Sequence, residues 1–285
     1  MRWAIIGSRG MLGTDLIQLL ELRGETVLGF HRNNLDLATS SSDLAFKLEN
    51  VDVVINAAAY TNVDKAESEQ EEAYYANATL PKILASASHR VDARFIQIST
   101  DYVFRGDSSV PYSPTDTPDP ISVYGKSKRD GENAALQFEN TQIIRTAWLY
   151  GRYGNCFPRT IATRLRAGDR LSIVGDQIGS PTNARDLAEF IVQASTGNRS
   201  NRILHGVSSG TASWYEFGIA VANSLSVSSD SITEVNSSAF QTAANRPFMS
   251  ICGSTFPGLF EMPHWEKSWK RSAEEISRPF KPEEV

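Results

Sequence analysis

The first half of the chain alternates short β-rich runs, several of them nearly continuous in apolar residues, with stretches in which apolar residues recur every three or four positions. The runs predict strands over residues 3–6, 26–30, 52–55, 94–99 and 142–145. A strand buried on both faces reads this way, whereas a half-exposed antiparallel strand alternates apolar with polar residues. Between the first two runs, residues 11–23 place Leu12, Leu16, Leu19 and Leu20 on one helical face, and Gly24 is suited to ending that helix in a left-handed turn. The repeated strand–helix–strand order predicts an α/β fold: a doubly wound, Rossmann-type, mostly parallel sheet with helices on both faces.

Beyond residue 150 the pattern loosens into segments punctuated by Gly and Pro, such as GDQIGSPT at 175–182, and turns are expected to dominate over long elements. A helix is expected over residues 186–194 and a strand over 202–207, which would return the chain to the main sheet. The predicted organisation is a dinucleotide-binding Rossmann domain over 1–150, completed by about 184–207, with a smaller C-terminal substrate-binding lobe from 151–183 and 208–285. The serine-rich stretch 224–238 contains Ile232 and Val235 and reads as short elements rather than a linker.

Composition narrows the function classes. With 285 residues, 41% hydrophobic and 21% charged, the chain matches a globular protein with a substantial core. A net charge of −5 gives no general pull toward nucleic acid or anionic lipid. Cys156 and Cys252 are far apart and form neither a disulfide scaffold nor a metal cage, and His31, His89, His205 and His264 show no metal-ligand spacing, so no metal site is expected. Met1 leads into an apolar run without a basic leader, and no apolar stretch nears the roughly 20 residues that span a bilayer. A cytoplasmic protein without a membrane or nucleic-acid partner is expected; the assembly is left open, a homodimer being one possibility.

Candidate chemistry begins at residues 7–13, GSRGMLG, a G-x-x-G-x-x-G turn directly after a strand and at the opening of a helix. Gly7, Gly10 and Gly13 at this spacing allow a tight turn, close backbone approach to a pyrophosphate and close helix-to-sheet contact. Phosphates would then meet unpaired N–H groups at a helix N-terminus. The plain alternative is a glycine-rich turn without a ligand. The second strand ends in Gly29-Phe30-His31-Arg32 with no carboxylate for a ribose 2′-hydroxyl, and Arg32 favours a 2′-phosphate, hence NADPH over NADH, unless it is simply a solvated loop residue.

Tyr124 and Lys128, four apart in YGKSK, share one helical face on a helix expected to run toward Phe138. A phenol is a poor acid–base group at neutral pH, and the Lys128 ammonium is expected to draw its pKa down. Such a pair also occurs by chance on solvated helices, so context matters. Thr100 follows the strand over 94–99, at the sheet edge where doubly wound folds bind ligands; its hydroxyl would orient a ketone or the Tyr124 phenol, or merely cap a turn. Ala58, Ala59, Tyr60 and Thr61 follow the third strand, where small side chains let a cofactor cross the strand end or pack tightly in a core. The combined reading is hydride delivery to a ketone.

These residues resemble the extended short-chain dehydrogenases/reductases. Within that superfamily, NAAAYTNVDKAE at 56–67, STDYVF at 99–104, YGKSK at 124–128, RTAWLYG at 145–151, DQIGSPT at 176–182 and Arg246-Pro247 before Ser250 resemble the branch that completes dTDP-L-rhamnose. The resemblance implies NADPH-dependent reduction of the C4 ketone of dTDP-4-dehydro-β-L-rhamnose to dTDP-β-L-rhamnose, with NADH as a possible second cofactor. It implies Tyr124 as proton donor, Lys128 as the residue that holds the nicotinamide ribose, and Thr100 as third catalytic member. Gly10, Met11 and Leu12 would border the phosphates, Asp36 and Leu37 the adenine side, and Ala59, Tyr60 and Thr61 the nicotinamide side. Thr100, Asp101 and Trp148 would face the sugar nucleotide, core packing being the alternative for Trp148. Asn62 and the segment 246–251 depart from the branch's usual pattern, which touches substrate shape more than chemistry. Two rivals remain at this point: a reductase of another dTDP-4-keto-6-deoxysugar, and a non-catalytic NADP-binding regulatory subunit.

Overall fold

The computed structural model describes residues 1–32, 41–197, 201–253 and 261–280. In the first half, strands β1 (Arg2–Ile6), β2 (Thr26–Phe30), β3 (Val53–Asn56), β4 (Arg94–Thr100) and β5 (Thr141–Thr146) alternate with helices α1 (Met11–Leu22), α2 (Ser41–Lys47), α3 (Val63–Ala66), α4 (Gln70–Tyr74), α5 (Leu80–Arg90) and α6 (Val123–Ala135). A π-helical turn, Tyr75–Thr79, joins α4 to α5. The second half adds the short strands β6 (Leu149–Tyr150), β7 (Leu171–Val174), β8 (Ile178–Gly179), β9 (Thr182–Asn183), β10 (Ile203–His205), β11 (Ala212–Ser213) and β12 (Ile232–Val235), with helices α7 (Phe157–Arg166), α8 (Ala184–Thr196), α9 (Trp214–Ser224) and α10 (Trp265–Ile276).

Six strands form one sheet in the order β10-β5-β4-β3-β1-β2, and every pairing in it is parallel. The five predicted strands appear within one residue of their expected ends; β3, β4 and β5 are central, whereas β2 at the sheet edge is only partly buried. All residues of β3, β4 and β5 are buried. On one face Leu12, Leu16 and Leu20 of α1 pack with Leu187, Phe190 and Ile191 of α8 over Ile5, Ile55 and Ile96. On the other, Leu44 of α2 and Leu80 and Leu84 of α5 cover Val54, Phe95 and Ile143. Gly24 has φ of 74° just past α1, as its position required. β10 lies beside β5, so the chain does return to the main sheet.

The segment after residue 150 departs from expectation. Turns were expected to dominate, yet α7, α9 and α10 build a separate core in which Ile161, Leu165, Phe217, Val221, Trp265 and Trp269 are buried. The helical spacing is present at Trp265, Trp269, Ala273 and Ile276, but intervening Lys, Arg and Glu residues lower the local hydrophobicity and mask it. α6 also stops short of the expected Phe138, because the backbone closes into turns at Ala135 and Phe138 before entering β5. The serine-rich stretch holds short elements, including β12, which pairs with β7. No helix among the described residues is long and apolar enough to cross a membrane.

Candidate active site

A cavity of about 750 Å³ opens at the carboxyl ends of β1, β3, β4 and β5, where a doubly wound sheet binds its ligands. Its wall gathers Gly7, Gly10, Met11, Leu12, Arg32, Ala58, Ala59, Thr61, Thr100, Tyr124, Lys128 and Trp148, so most of the candidate residues meet around one space. Gly13 and Tyr60 are not among the residues that line it. Asp36 and Leu37 lie outside the described residues.

The glycine turn is shaped by contact. Gly7 has φ of 82°, and a Cβ there would sit 2.7 Å from the Ala58 nitrogen; a Cβ on Gly13 would sit 2.1 Å from the Gly7 carbonyl oxygen. Larger side chains would force the turn off β3 or open it. The Gly7 and Ser8 N–H groups donate to the Phe30 carbonyl at 2.8 and 3.0 Å, fixing the turn to the end of β2. Gly10 caps α1 without a side-chain hydrogen bond, which leaves the first-turn N–H groups to an outside acceptor. Arg9, His31 and Arg32 line the same end of the cavity. The turn, the uncapped helix end and the two guanidinium groups fit a phosphorylated dinucleotide. Arg9 was not singled out from sequence, because it reads there as the variable residue of the glycine motif.

At the other end, Ser122 caps α6 by accepting from the Gly125 N–H at 3.2 Å, and the first turns of the helix carry Tyr124 and Lys128 to the cavity. Lys128 is buried and its Nζ donates to the Ile98 carbonyl at 2.7 Å. Burial lowers its pKa to about 8, against the opposing field of Glu132. The Tyr124 phenol moves the other way from expectation. Burial pushes it up to about 12; a hydrogen bond with Thr100 opposes the shift and the Asp101 charge adds to it. At neutral pH Tyr124 therefore holds its proton and can act as a donor.

α6 is anchored from below by an ion pair between Arg145 of β5 and Glu132, with nitrogen–oxygen distances of 2.9 and 2.7 Å and both side chains almost fully buried. The Arg145 guanidinium also lies over the Phe104 ring, 4.9 Å from its centroid. From the side, Asn77 in the π-helical turn accepts from the Tyr60 N–H at 2.9 Å, and its Nδ2 donates to the Tyr60 carbonyl and the Ser127 hydroxyl, each at 3.0 Å. Asn77 thus ties the strand end bearing Ala58 to Thr61 to the helix bearing Tyr124. Nothing in its sequence surroundings distinguishes it. The Tyr60 hydroxyl donates to Glu69, which raises the phenol to about 12.

Asp101 is not where a sugar-facing residue was expected. It is 2% exposed and absent from the cavity wall; its carboxylate accepts from the Thr100 hydroxyl at 3.0 Å and from the Ser250 hydroxyl. A buried carboxylate needs such donors, and satisfying them turns it inward. Trp148, by contrast, lines the cavity and is only partly buried. Asn62 caps α3 by accepting from the Lys65 N–H at 3.0 Å. Among the described residues no group of three or more His, Cys, Asp or Glu side chains is placed to hold a metal ion.

Comparison with known proteins agrees with this arrangement. The family model described as the RmlD substrate binding domain matches residues 1–278. A dTDP-4-dehydrorhamnose reductase from Mycobacterium tuberculosis (strain ATCC 25618 / H37Rv) is 38% identical over 277 residues, covering 94% of this chain and 90% of that protein. A protein from Streptomyces antibioticus named as a probable dTDP-4,6-dihydroxy-2-methyloxan-3-one 4-ketoreductase is 36% identical over 283 residues, covering 97% of this chain and 96% of its own. Among solved structures, a dTDP-4-dehydrorhamnose reductase from Bacillus anthracis in complex with NADP superposes with a TM-score of 0.90 at 34% identity, covering 95% of this chain and 97% of the other. The chain belongs to the dTDP-4-dehydrorhamnose reductase family of Rossmann-type extended short-chain dehydrogenases/reductases.

Proposed function

We propose that the protein reduces the C4 ketone of dTDP-4-dehydro-β-L-rhamnose to dTDP-β-L-rhamnose with NADPH. The observation that carries this reading is the convergence of the glycine turn, Thr100, Tyr124, Lys128 and Trp148 on one cavity in a chain of this family. NADPH, when bound, supplies the hydride that forms the new C4–H bond.

The protein's own residues do the rest. Gly7, Gly10, Met11 and Leu12 hold the pyrophosphate against the opening of α1, and Arg9 and Arg32 receive a 2′-phosphate. Lys128 reaches the nicotinamide ribose from the floor, and Ala58, Ala59 and Thr61 leave room beside it. As the carbonyl π pair moves onto oxygen, Tyr124 gives that oxygen its proton. Thr100 orients the same oxygen. The indole of Trp148 packs on the apolar face of the sugar. Residues 1–150 with about 184–207 form the nucleotide-binding domain, and 151–183 with 208–285 form the substrate lobe; the two separate cores support that division.

A second reading has its own support, since the Streptomyces antibioticus relative bears the name of a different dTDP-sugar 4-ketoreductase. Product analysis separates them. Purified protein with NADPH and dTDP-4-dehydro-β-L-rhamnose should oxidise NADPH mole for mole and give the C4 configuration of dTDP-β-L-rhamnose by NMR. Turnover of another dTDP-4-keto-6-deoxysugar, with none of this one, would assign the second reading.

A further inference from the structure

A buried chain of hydrogen bonds leads from the substrate lobe to the reacting groups. Ser250 donates to Asp101, and Asp101 also accepts from Thr100 Oγ1 at 3.0 Å. Thr100 Oγ1 in turn accepts from the Tyr102 N–H at 3.2 Å, and Thr100 and Tyr124 line the same cavity. Ser250, Asp101 and Thr100 are 2%, 2% and 7% exposed, so water does not compete for these groups.

Ser250 is held firmly. It ends a strap, residues 244–250, whose Ala244 N–H and Arg246 guanidinium both bind the Asp64 carboxylate. The Met249 N–H donates to the Gly106 carbonyl at 2.9 Å, and the Ser250 N–H to the Ile178 carbonyl at 3.3 Å. The strap spans from the loop after β4 to β8 in the lobe.

We propose that Ser250 and Asp101 are positioning residues that set which way the Thr100 hydroxyl points, and hence whether Thr100 can donate to the reacting oxygen. This rests on the reading that Thr100 and Tyr124 serve a ketone. Thr100 has one proton to give. While Asp101 is a carboxylate, that proton is committed to Asp101 and is not available to the substrate oxygen. Once Asp101 carries a proton, it donates to Thr100 Oγ1, and the Thr100 proton turns toward Tyr124 and the substrate oxygen. Ser250 holds the second carboxyl oxygen in both states, so the protonated edge faces Thr100.

Burial supports the second state by raising Asp101 to about 6, against the hydrogen bonds from Ser250 and Thr100. Among the described residues, the other titratable groups around it are Tyr124 from α6, the adjacent Tyr102, and Cys252 just past the strap; all three are pushed up by burial, while Arg246 of the strap and Asp64 of α3 act on Tyr102, and the Arg145–Glu132 pair acts on Cys252. Asp101 is therefore the member of this cluster that changes charge closest to neutrality.

The test compares wild type, Ser250→Ala, Ser250→Thr and Asp101→Asn in NADPH-dependent turnover of the 4-keto sugar from about pH 5 to about pH 9. The titration of Asp101 is followed in parallel by carboxyl ¹³C NMR without substrate. Wild-type kcat is expected to fall as pH rises through the Asp101 titration. Ser250→Ala takes a donor from the carboxylate and should move both the NMR midpoint and the fall upward by about one pH unit. Ser250→Thr should restore them, and Asp101→Asn, whose amide donates at every pH, should remove the fall whatever its plateau. With active wild type, an unmoved midpoint in Ser250→Ala, or an unchanged fall in Asp101→Asn, overturns the inference alone. Wild type inactive on every 4-keto sugar overturns the functional reading and this inference together.

Discussion

The indole of Trp148 lies flat against that of Trp214, with ring centroids 3.5 Å apart and planes 4° from parallel. The contact holds Trp148 in a backbone conformation that few bulky residues adopt, with φ of 45°. The β8–β11 pair supplies both sides of the seat: Gly179 pairs with Ala212, and Trp214 follows two residues later. A Cβ on Gly179 would come within 2.4 Å of the Trp148 ring. Phe157 backs Trp214 at 4.6 Å. Trp214 does not line the cavity, so it acts through Trp148. Trp214→Ala should raise KM for the sugar nucleotide roughly tenfold while KM for NADPH stays within about twofold, and Trp214→Phe should recover much of the loss. Steady-state kinetics with each substrate varied in turn reads the split; equal losses in both would contradict it.

Arg9 and Arg32 line the cavity beside the glycine turn, and the proposed function has them receive a 2′-phosphate. Replacing both with alanine should raise KM for NADPH by about 10–100-fold and leave KM for NADH within about threefold, narrowing the preference between the two. Parallel initial-rate assays with the two cofactors check this. A loss that falls equally on NADH would assign the arginines to general structure.

Lys128 ties a pH effect to stability. Its folded-state pKa of about 8 lies below the unfolded value of 10.5, because burial penalises the ammonium. Between those values the unfolded chain binds more protons, so this group's contribution to stability rises with pH across that window. Lys128→Met removes the slope. Its stability relative to wild type should decline by up to about 3 kcal/mol as pH rises from about 7 to about 11, while turnover is lost throughout. Denaturant midpoints at several pH values measure the difference; a gap that does not change with pH would contradict the origin of the shift.

The Arg145–Glu132 pair is the anchor of α6. Glu132→Gln leaves an almost fully buried guanidinium without its counter-charge and should cost about 3–5 kcal/mol in denaturant unfolding. Arg145→Met with Glu132→Met should recover a large part of that loss, since the cost lies in the unpaired charge. A double variant less stable than the single would argue against this account.

What could be read beforehand follows from where the information sits. β1 and β3 are legible because their burial demands continuous apolar runs, and Gly7 and Gly13 because the turn excludes a side chain there. Tyr124 and Lys128 are legible as a pair because helical spacing is local. The helices α7 and α10 are masked because their buried residues are spaced among charged ones, and α9 because its apolar residues are not confined to one face. Asp101 was placed toward the sugar by resemblance, but its orientation depends on Ser250, 149 residues away in sequence. Asn77 and Trp214 have the same character: each acts through a partner far along the chain, and no local pattern marks it.

In the proposed reaction Tyr124 gives its proton to the ketone of a dTDP-4-keto sugar during NADPH-dependent reduction. The most direct measurement is single-turnover NADPH oxidation by wild type and Tyr124→Phe with dTDP-4-dehydro-β-L-rhamnose, alongside NADPH binding by fluorescence. A loss of about 10²–10⁴-fold is expected in the variant, with NADPH affinity retained. A variant that oxidises NADPH at the wild-type rate would contradict it.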